Sequence, residues 1–400
     1  MNPQSKSSAG KLMLALASMA GLFVCMVPCA QAQTLSVVHN FTGGSDGGNP
    51  VDGFAISKTG ILYGTASSGG ASGYGVVLKV SGKGKETVLH SFAGGSDGAT
   101  PNGRVVIGGK GVLFGTTTAG GASSLGTVFR MEGKKETVLY SFVGGTDGAD
   151  PQAELVMDAA GNLYGTTAQG GPAGNGTVFE LVAPTKKKGP WKEVVLYSFG
   201  TGTDGATPVS SVTLDASGNL YGTTSLGGAY GYGTIFQLKP GSTWTETVLH
   251  SFQNADDGAN PYAGLISDSA GNLYGAATQG GTAGGGTIFE IASPQAGAKF
   301  TVLASLPGWG ISGSFRNLLL DESGTVYGTT HCDGDNNAGT IFKLAPSGGS
   351  WTYTLLYTFT GGSDGLFTIS NLVLKSGKLY GTTLDGGADG AGVIYALTTK

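Results

Sequence analysis

Residues 161–167 read Gly161-Asn162-Leu163-Tyr164-Gly165-Thr166-Thr167, and the chain writes this stretch, with variations, seven times. The other copies centre on Tyr63, Phe114, Tyr221, Tyr274, Tyr327 and Tyr380, so successive gaps are 51, 50, 57, 53, 53 and 53 residues. Four hundred residues would ordinarily suggest two or three domains. A repeat spanning nearly the whole chain overrides that prior, because repeats stack into one body.

Residues 205–252 show what one repeat contains. Val212 to Asp215 is a short apolar run closed by the turn Asp215-Ala216-Ser217-Gly218, and Asn219 to Thr224 follows. A glycine-rich loop, Leu226 to Gly233, leads to Thr234-Ile235-Phe236-Gln237-Leu238, and after Pro240-Gly241-Ser242 comes Glu246 to Phe252. All four segments are short, β-branched or aromatic, and bounded by turn residues, which is the strand signature; no sustained 3.6-residue apolar period follows residue 33. Four antiparallel strands in about 50 residues is the size of a propeller blade. In Thr177-Val178-Phe179-Glu180-Leu181 both strand faces carry large apolar groups, as expected of a sheet sandwiched between two others.

The phase of the array adds a closure rule. With the segment ending at Asp215 innermost and the Val248-Leu249-His250 segment at the rim, the chain opens on a lone rim strand, Leu35 to Phe41. It ends on a third strand, Val393 to Leu397. The expected fold is therefore all-β: a seven-bladed propeller of four-stranded antiparallel blades over 34–400, closed by pairing of the N-terminal strand with the last blade. Closure removes both exposed sheet edges.

The recurring text runs V-L-[HY]-S-F-x-G-G-x-D-G-A-x-P, then L-x-D-x-x-G-N-L-Y-G-T-T, then G-G-x-x-G-x-G-T-[IV]-F-x-L. It resembles the GloVer tandem repeat of bacterial extracellular proteins across essentially all of residues 35–400. The resemblance implies export and a propeller-like fold. It implies no reaction.

Residues 1–33 read as a cleaved secretory leader: Lys6 and Lys11, an apolar run from Leu12 to Val27, then Ala30-Gln31-Ala32 as a small-x-small cleavage site. Sixteen apolar residues are short for a membrane span. With no second apolar segment and no C-terminal sorting tail, the mature chain is expected to be a secreted or periplasmic bacterial monomer without a membrane span. Cys332 is then the one remaining cysteine of three, so no internal disulfide is expected. Charged residues make up only 12% of the chain and the formal net charge is −4; no basic stripe to neutralise phosphates is expected, which argues against nucleic acid as a partner. Lys186-Lys187-Lys188 reads as a solvated loop.

In a propeller the rim-to-next-blade loops and the second-to-third-strand loops share a face. Here both are long, polar and glycine-rich, so this is where function is expected. The repeated aspartates Asp46, Asp97, Asp147, Asp204, Asp257 and Asp364 read as turn formers that cap their own backbone. His39, His90 and His250 share a slot with Tyr140, Tyr197 and Tyr357, and read as half-buried packing residues with no repeated partner. The sixth repeat departs most from the consensus. Trp309 and Arg316 lie in its crossing loop; His331, Asp333 and Asp335 lie in the other. Asp333, Asp335 and Asn337 have the alternate spacing of an oxygen-ligand calcium loop, without its central glycine and distal glutamate. Cys332 with His331 is disfavoured as a nucleophile–base pair, because neighbours in a strand point to opposite faces. Loop aromatics Tyr74, Tyr230, Tyr232 and Tyr262 could stack on sugar rings.

Three function classes fit. The first is a secreted, non-catalytic binding or scaffolding propeller directed at a polysaccharide or another cell-surface component, with calcium as the only cofactor to consider. The second is a polysaccharide lyase with His331 as base and Arg316 as charge neutraliser, or a glycosidase using Asp333 and Asp335. The third is a structural adhesion repeat.

Overall fold

The computed structural model describes residues 33–186, 189–307 and 318–399. These residues form seven four-stranded antiparallel sheets with one short 3₁₀ turn at Gly109–Gly111. The leader expected over 1–33 lies, except for Gln33, outside the described residues, as do Trp309 and Arg316. Among the described residues no helix is long and apolar enough to cross a membrane.

Blade 3 shows why the repeated heptapeptide folds as it does. Its strands are Val156–Met157, Leu163–Thr167, Thr177–Val182 and Lys192–Ser198, from axis to rim. Asp158 accepts hydrogen bonds from the backbone of Ala160 and Asn162, which closes the first turn, and the Tyr164 hydroxyl reaches back to the same carboxylate. Gly165 is required by close approach: a Cβ there would lie 2.6 Å from the Phe179 ring. Thr166 donates to the Ser210 carbonyl of the next blade at 2.9 Å. Thr167 pairs with Thr177 of its own third strand at 2.8 Å, so both buried hydroxyls are satisfied. The blade-to-blade threonine bond recurs from Thr65 to Gly103, Thr116 to Ala153, Thr223 to Ala263 and, across the chain ends, Thr382 to Pro50.

The core is divided among the seams. Phe114, Val128 and Phe142 of blade 2 interlock with Leu155, Leu163 and Phe179 of blade 3. Six further clusters of the same kind join the other neighbours, and one sets Phe41 and Ile394 of blade 7 against Phe54, Leu62 and Val76 of blade 1. Every sheet is therefore apolar on both faces, and the ring has no open end.

The closure matches expectation. Leu35–Asn40 pairs antiparallel with Val393–Thr398, in register from Leu35↔Leu397 to Asn40↔Val393. The N-terminal strand thus supplies the rim of blade 7, whose other strands are Val373–Lys375, Lys378–Thr383 and Val393–Thr398. Deleting residues 33–41 strips this rim and exposes the edge of Val393–Thr398. The shortened chain should unfold at lower temperature and gain a tendency to associate, checked by thermal melting with light scattering; an unchanged, monomeric melt would refute closure as a source of stability.

Candidate functional site

Crossing loops and second-to-third-strand loops meet on one face, as the bridges Gly48↔Ser68, Ala99↔Ala119 and Ala149↔Gln169 show. A single device fixes the crossing loops. In every blade the rim strand carries a bulge, for example at Leu196, which lies between the paired residues Val195 and Tyr197. Such a bulge re-aims the next side chain. In six of the blades the re-aimed residue then faces the aspartate seven positions on. Tyr140 reaches Asp147 at 2.9 Å, Tyr197 reaches Asp204 at 3.0 Å, and Tyr357 reaches Asp364 at 3.0 Å. His90 lies 3.2 Å from Asp97, His250 lies 3.0 Å from Asp257, and His39 lies 3.6 Å from Asp46. Each aspartate also accepts a backbone N–H four residues earlier, as Asp147 does from Val143 and Asp204 from Gly200.

The aspartates are turn caps, as the sequence suggested. The histidines do have a repeated partner, contrary to expectation, and sequence distance hid it: the partner comes after the strand has ended. At the fifth-to-sixth crossing Ala304 occupies the His/Tyr slot and no aspartate follows. Both halves of the pair are missing together, as a purely structural pair requires.

A second carboxylate sits against four of these caps. Glu86, Glu136, Glu193 and Glu246 occupy equivalent rim positions, and each has its Oε1 enclosed without a hydrogen-bond partner. Burial first, and then the charges of Asp97, Asp147 and Asp204, push Glu136, Glu193 and Glu246 up to about 7; Glu86 is raised by burial and Asp46. His39 and His250 are lowered, because burial outweighs the aspartate beside each.

The sixth-repeat residues are only partly brought together. The His331 ring lies tilted against Phe367 with centroids 4.7 Å apart, and its Nδ1 lies 3.0 Å from Cys332 Sγ. The strand argument against that contact fails because Val326–Thr330 ends before His331, and alternation ends with it. Burial raises the Cys332 thiol, which opposes the thiolate a nucleophile needs. The Asp333 carboxylate accepts from the Gly334 backbone, and its charge helps raise Tyr353, second to burial, to about 12. Asp335 and Asn337 are exposed. Among the described residues no three His, Cys, Asp or Glu side chains converge as metal ligands.

Two groupings escaped the sequence reading or were only half seen in it. The first surrounds the axis. One or two residues ahead of each inner strand stands Gly53, Arg104, Glu154, Ser211, Gly264, Asn317 or Asn371, a position that varies where its neighbours repeat. That variation was the available signal. Arg104 Nε and Nη2 contact Glu154 Oε2 at 3.0 and 2.9 Å, the Arg104 backbone donates to Asp52, and Asn371 lies 3.5 Å from Glu154. Burial disfavours the Arg104 charge, but Glu154 and Asp52 more than compensate and its pKa is raised. Glu154 is raised as well, by burial first, with Asp52 adding to it and Arg104 opposing. The adjoining cavity, lined by Asp52, Glu154, Ser210, Tyr262 and Asn371, holds about 10 Å³, the space of one water. The cluster ties blades 7, 1, 2 and 3 together.

The second grouping is aromatic. Eight large apolar or aromatic side chains are exposed among the described residues, and four belong to one seam: Leu226 at 45%, Tyr230 at 57%, Tyr232 at 37% and Tyr262 at 37%. Leu226, Tyr230 and Tyr232 sit on the blade 4 loop, and Tyr262 on the crossing into blade 5. The two loops are joined by Asn260, whose backbone donates to Tyr232 O at 2.8 Å and whose side chain donates to Ser225 O at 2.9 Å. Tyr262 also borders the axial cavity, so the strip runs inward to the polar cluster. Tyr74 is exposed on the same face, against Gly94.

A seven-bladed ring of tandem repeats, regular in its strands and variable in its loops, defines the class. Within that class the chain belongs to the Gloeobacter/Verrucomicrobia repeat family, which matches residues 14–215, 139–317 and 210–400. No protein of curated function matches the sequence. Solved propellers resemble it in fold. A candidate 6-phosphogluconolactonase from Bacteroides uniformis superposes with a TM-score of 0.53 at 15% identity, over 80% of this chain and 88% of that one. A candidate 6-phosphogluconolactonase from Bacteroides fragilis gives 0.51 at 18% identity, over 82% and 89%. A Lactobacillus plantarum protein gives 0.52 at 15%, over 81% and 88%.

Two outcomes follow from this geometry. Glu136, Glu193 and Glu246 keep their protons in the folded state to about pH 7 but lose them near 4.5 when unfolded. Their stabilisation is complete below pH 4.5 and is lost as pH rises through 7. Replacing all three by Gln should flatten the fall in melting temperature between pH 5 and 8; a parallel profile would refute the assignment. His39 and His250 act oppositely, losing stability as pH falls below 6.5. Arg104→Ala leaves Glu154 enclosed without its cation. The side chains are still 23% and 14% exposed, so the cost lies between that of an exposed and a buried pair, roughly 2 kcal/mol by denaturant unfolding.

Proposed function

We propose that this chain is an exported, non-catalytic propeller that binds a glycan on its crossing-loop face. The observation that supports this reading is the strip formed by Leu226, Tyr230, Tyr232 and Tyr262. Scattered single apolar side chains need no explanation, but three tyrosines and a leucine in one seam do. Tyrosine offers a flat apolar ring with a polar tip, matched to the mixed C–H and hydroxyl faces of a sugar. The loops that carry the strip are anchored by backbone bonds and by the aspartate caps, so little ordering cost falls on binding. The strip ends at the axial cavity, which Asp52, Ser210 and Asn371 line and which holds one water, so binding falls to the exposed rings. Export rests on the leader-like residues 1–33 and on the repeat text.

A polysaccharide panel with the purified chain tests the proposal. Tyr230→Ala, Tyr232→Ala and Tyr262→Ala should each weaken glycan affinity by roughly 1 kcal/mol, about fivefold, without lowering the melting temperature. A folded protein that binds no member of the panel, or binds one equally well without these tyrosines, would end the reading.

A further inference from the structure

The face opposite the tyrosine strip has a charge pattern that composition conceals. It is built from the turns joining first to second and third to fourth strands. In blades 3 to 6 the first of these turns carries an aspartate: Asp158, Asp215, Asp268 and Asp321. In blades 7, 1 and 2 the equivalent positions are Lys375, Ser57 and Gly108, and the carboxylate is gone. Lysines stand in these turns instead. Blade 7 presents Lys378, blade 1 presents Lys58, Lys83 and Lys85, and blade 2 presents Lys110, Lys134 and Lys135, all exposed. One acidic side chain, Glu132, shares these turns, and it is engaged by Arg130. Lys375 is half-buried and joins the blades, donating to the carbonyls of Ser57 and Lys58 at 2.7 and 2.9 Å. The blade order 7–1–2 is contiguous only because the N-terminal strand closes the ring, so ring closure brings lysines numbered 58 and 378 side by side.

A cleft of about 290 Å³ opens in the middle of this arc, between blades 7 and 1. Lys83 and Lys378 stand on its walls, and Ser36, Gly60, Gly84 and Tyr380 line it. Gly60 and Gly82, each with open space where a side chain would stand, leave the cleft uncrowded. The crossing-loop face has the opposite character: among the described residues of its loops, Arg104 is the one Lys or Arg, and it is paired with Glu154.

We propose that the lysine arc of blades 7, 1 and 2 is a docking surface for an acidic polysaccharide. Ammonium groups on flexible stems suit the spaced carboxylates or sulfates of such a chain, acting as point charges without demanding planar geometry. The cleft between Lys83 and Lys378 gives such a chain a seat at the middle of the arc. A flat lipid surface fits less well, because Val37 is the one large exposed apolar side chain beside the cleft, leaving little to insert into a bilayer. Docking here turns the tyrosine face outward and gives the protein two independent attachments. The inference does not rest on the glycan-binding reading, since the residues of the two surfaces are disjoint.

Binding of the purified chain to polygalacturonate and to dextran sulfate, with neutral dextran as control, is the test. Affinity for at least one acidic polymer at low salt is expected, falling steeply by about 0.5 M salt as the Debye length shrinks to a few ångströms. Lys58→Glu, Lys83→Glu and Lys378→Glu together should weaken it at least tenfold at unchanged melting temperature, while Tyr230→Ala and Tyr232→Ala leave it intact. Should charge reversal disturb folding, Lys83→Gln with Lys378→Gln repeats the comparison on a milder pair. A folded chain that ignores both acidic polymers, a lysine variant that binds as the parent does, or tighter binding to phosphatidylglycerol vesicles than to either polymer would overturn the proposal.

Discussion

The structure depends on one constraint: each four-stranded sheet is apolar on both faces and is stable only between two others. No blade can bury its large residues alone, and an open row of seven would leave two such faces wet. Curving the row into a ring satisfies all of them at once. The seam is more than hydrophobic contact, because a threonine hydroxyl from one blade meets a carbonyl of the next at the same height in five seams. Those bonds tie each blade to the next at the equivalent position of the repeat. The last seam joins residues more than 330 positions apart and is built from the same parts as the others.

Regular seams leave the loops free to differ, and the rim device shows how they are held while differing. A bulge, an aromatic or imidazole ring and a capping aspartate form one unit, repeated wherever a crossing loop begins. Its loss at the fifth-to-sixth crossing removes ring and carboxylate together. Selection on a catalytic dyad would leave no reason for tyrosine and histidine to alternate in the same role. The half-buried glutamates beside four of the caps add a pH dependence to the rim.

The two faces of the ring divide the chemistry. One carries a tyrosine strip running toward a self-satisfied polar centre; the other carries lysines over three adjacent blades. Neither pattern follows from the fold, which is indifferent to what tops its turns. Both arise where individual blades abandon the consensus: Tyr230 and Tyr232 in the blade 4 loop, Lys58 and Lys110 in turns where aspartate is the rule. Low-identity likeness to lactonase-named propellers speaks to the ring alone, since chemistry resides in side chains that such likeness does not preserve.

The sequence by itself determined the blade count, the four-strand unit and the closing strand, because periodic burial must be written at every repeat. It also marked the aspartates as turn formers, since an Asx turn is local and needs only its own neighbours. What only the tertiary structure decided depends on closure. The His/Tyr–Asp pairs needed the bulge; the Arg104–Glu154 bridge needed two blades at one axis; the contact between His331 and Cys332 needed the strand to stop one residue earlier than alternation assumes. The lysine arc needed the ring itself. Charges far apart in the chain are indistinguishable from scattered ones until the backbone returns them to the same place.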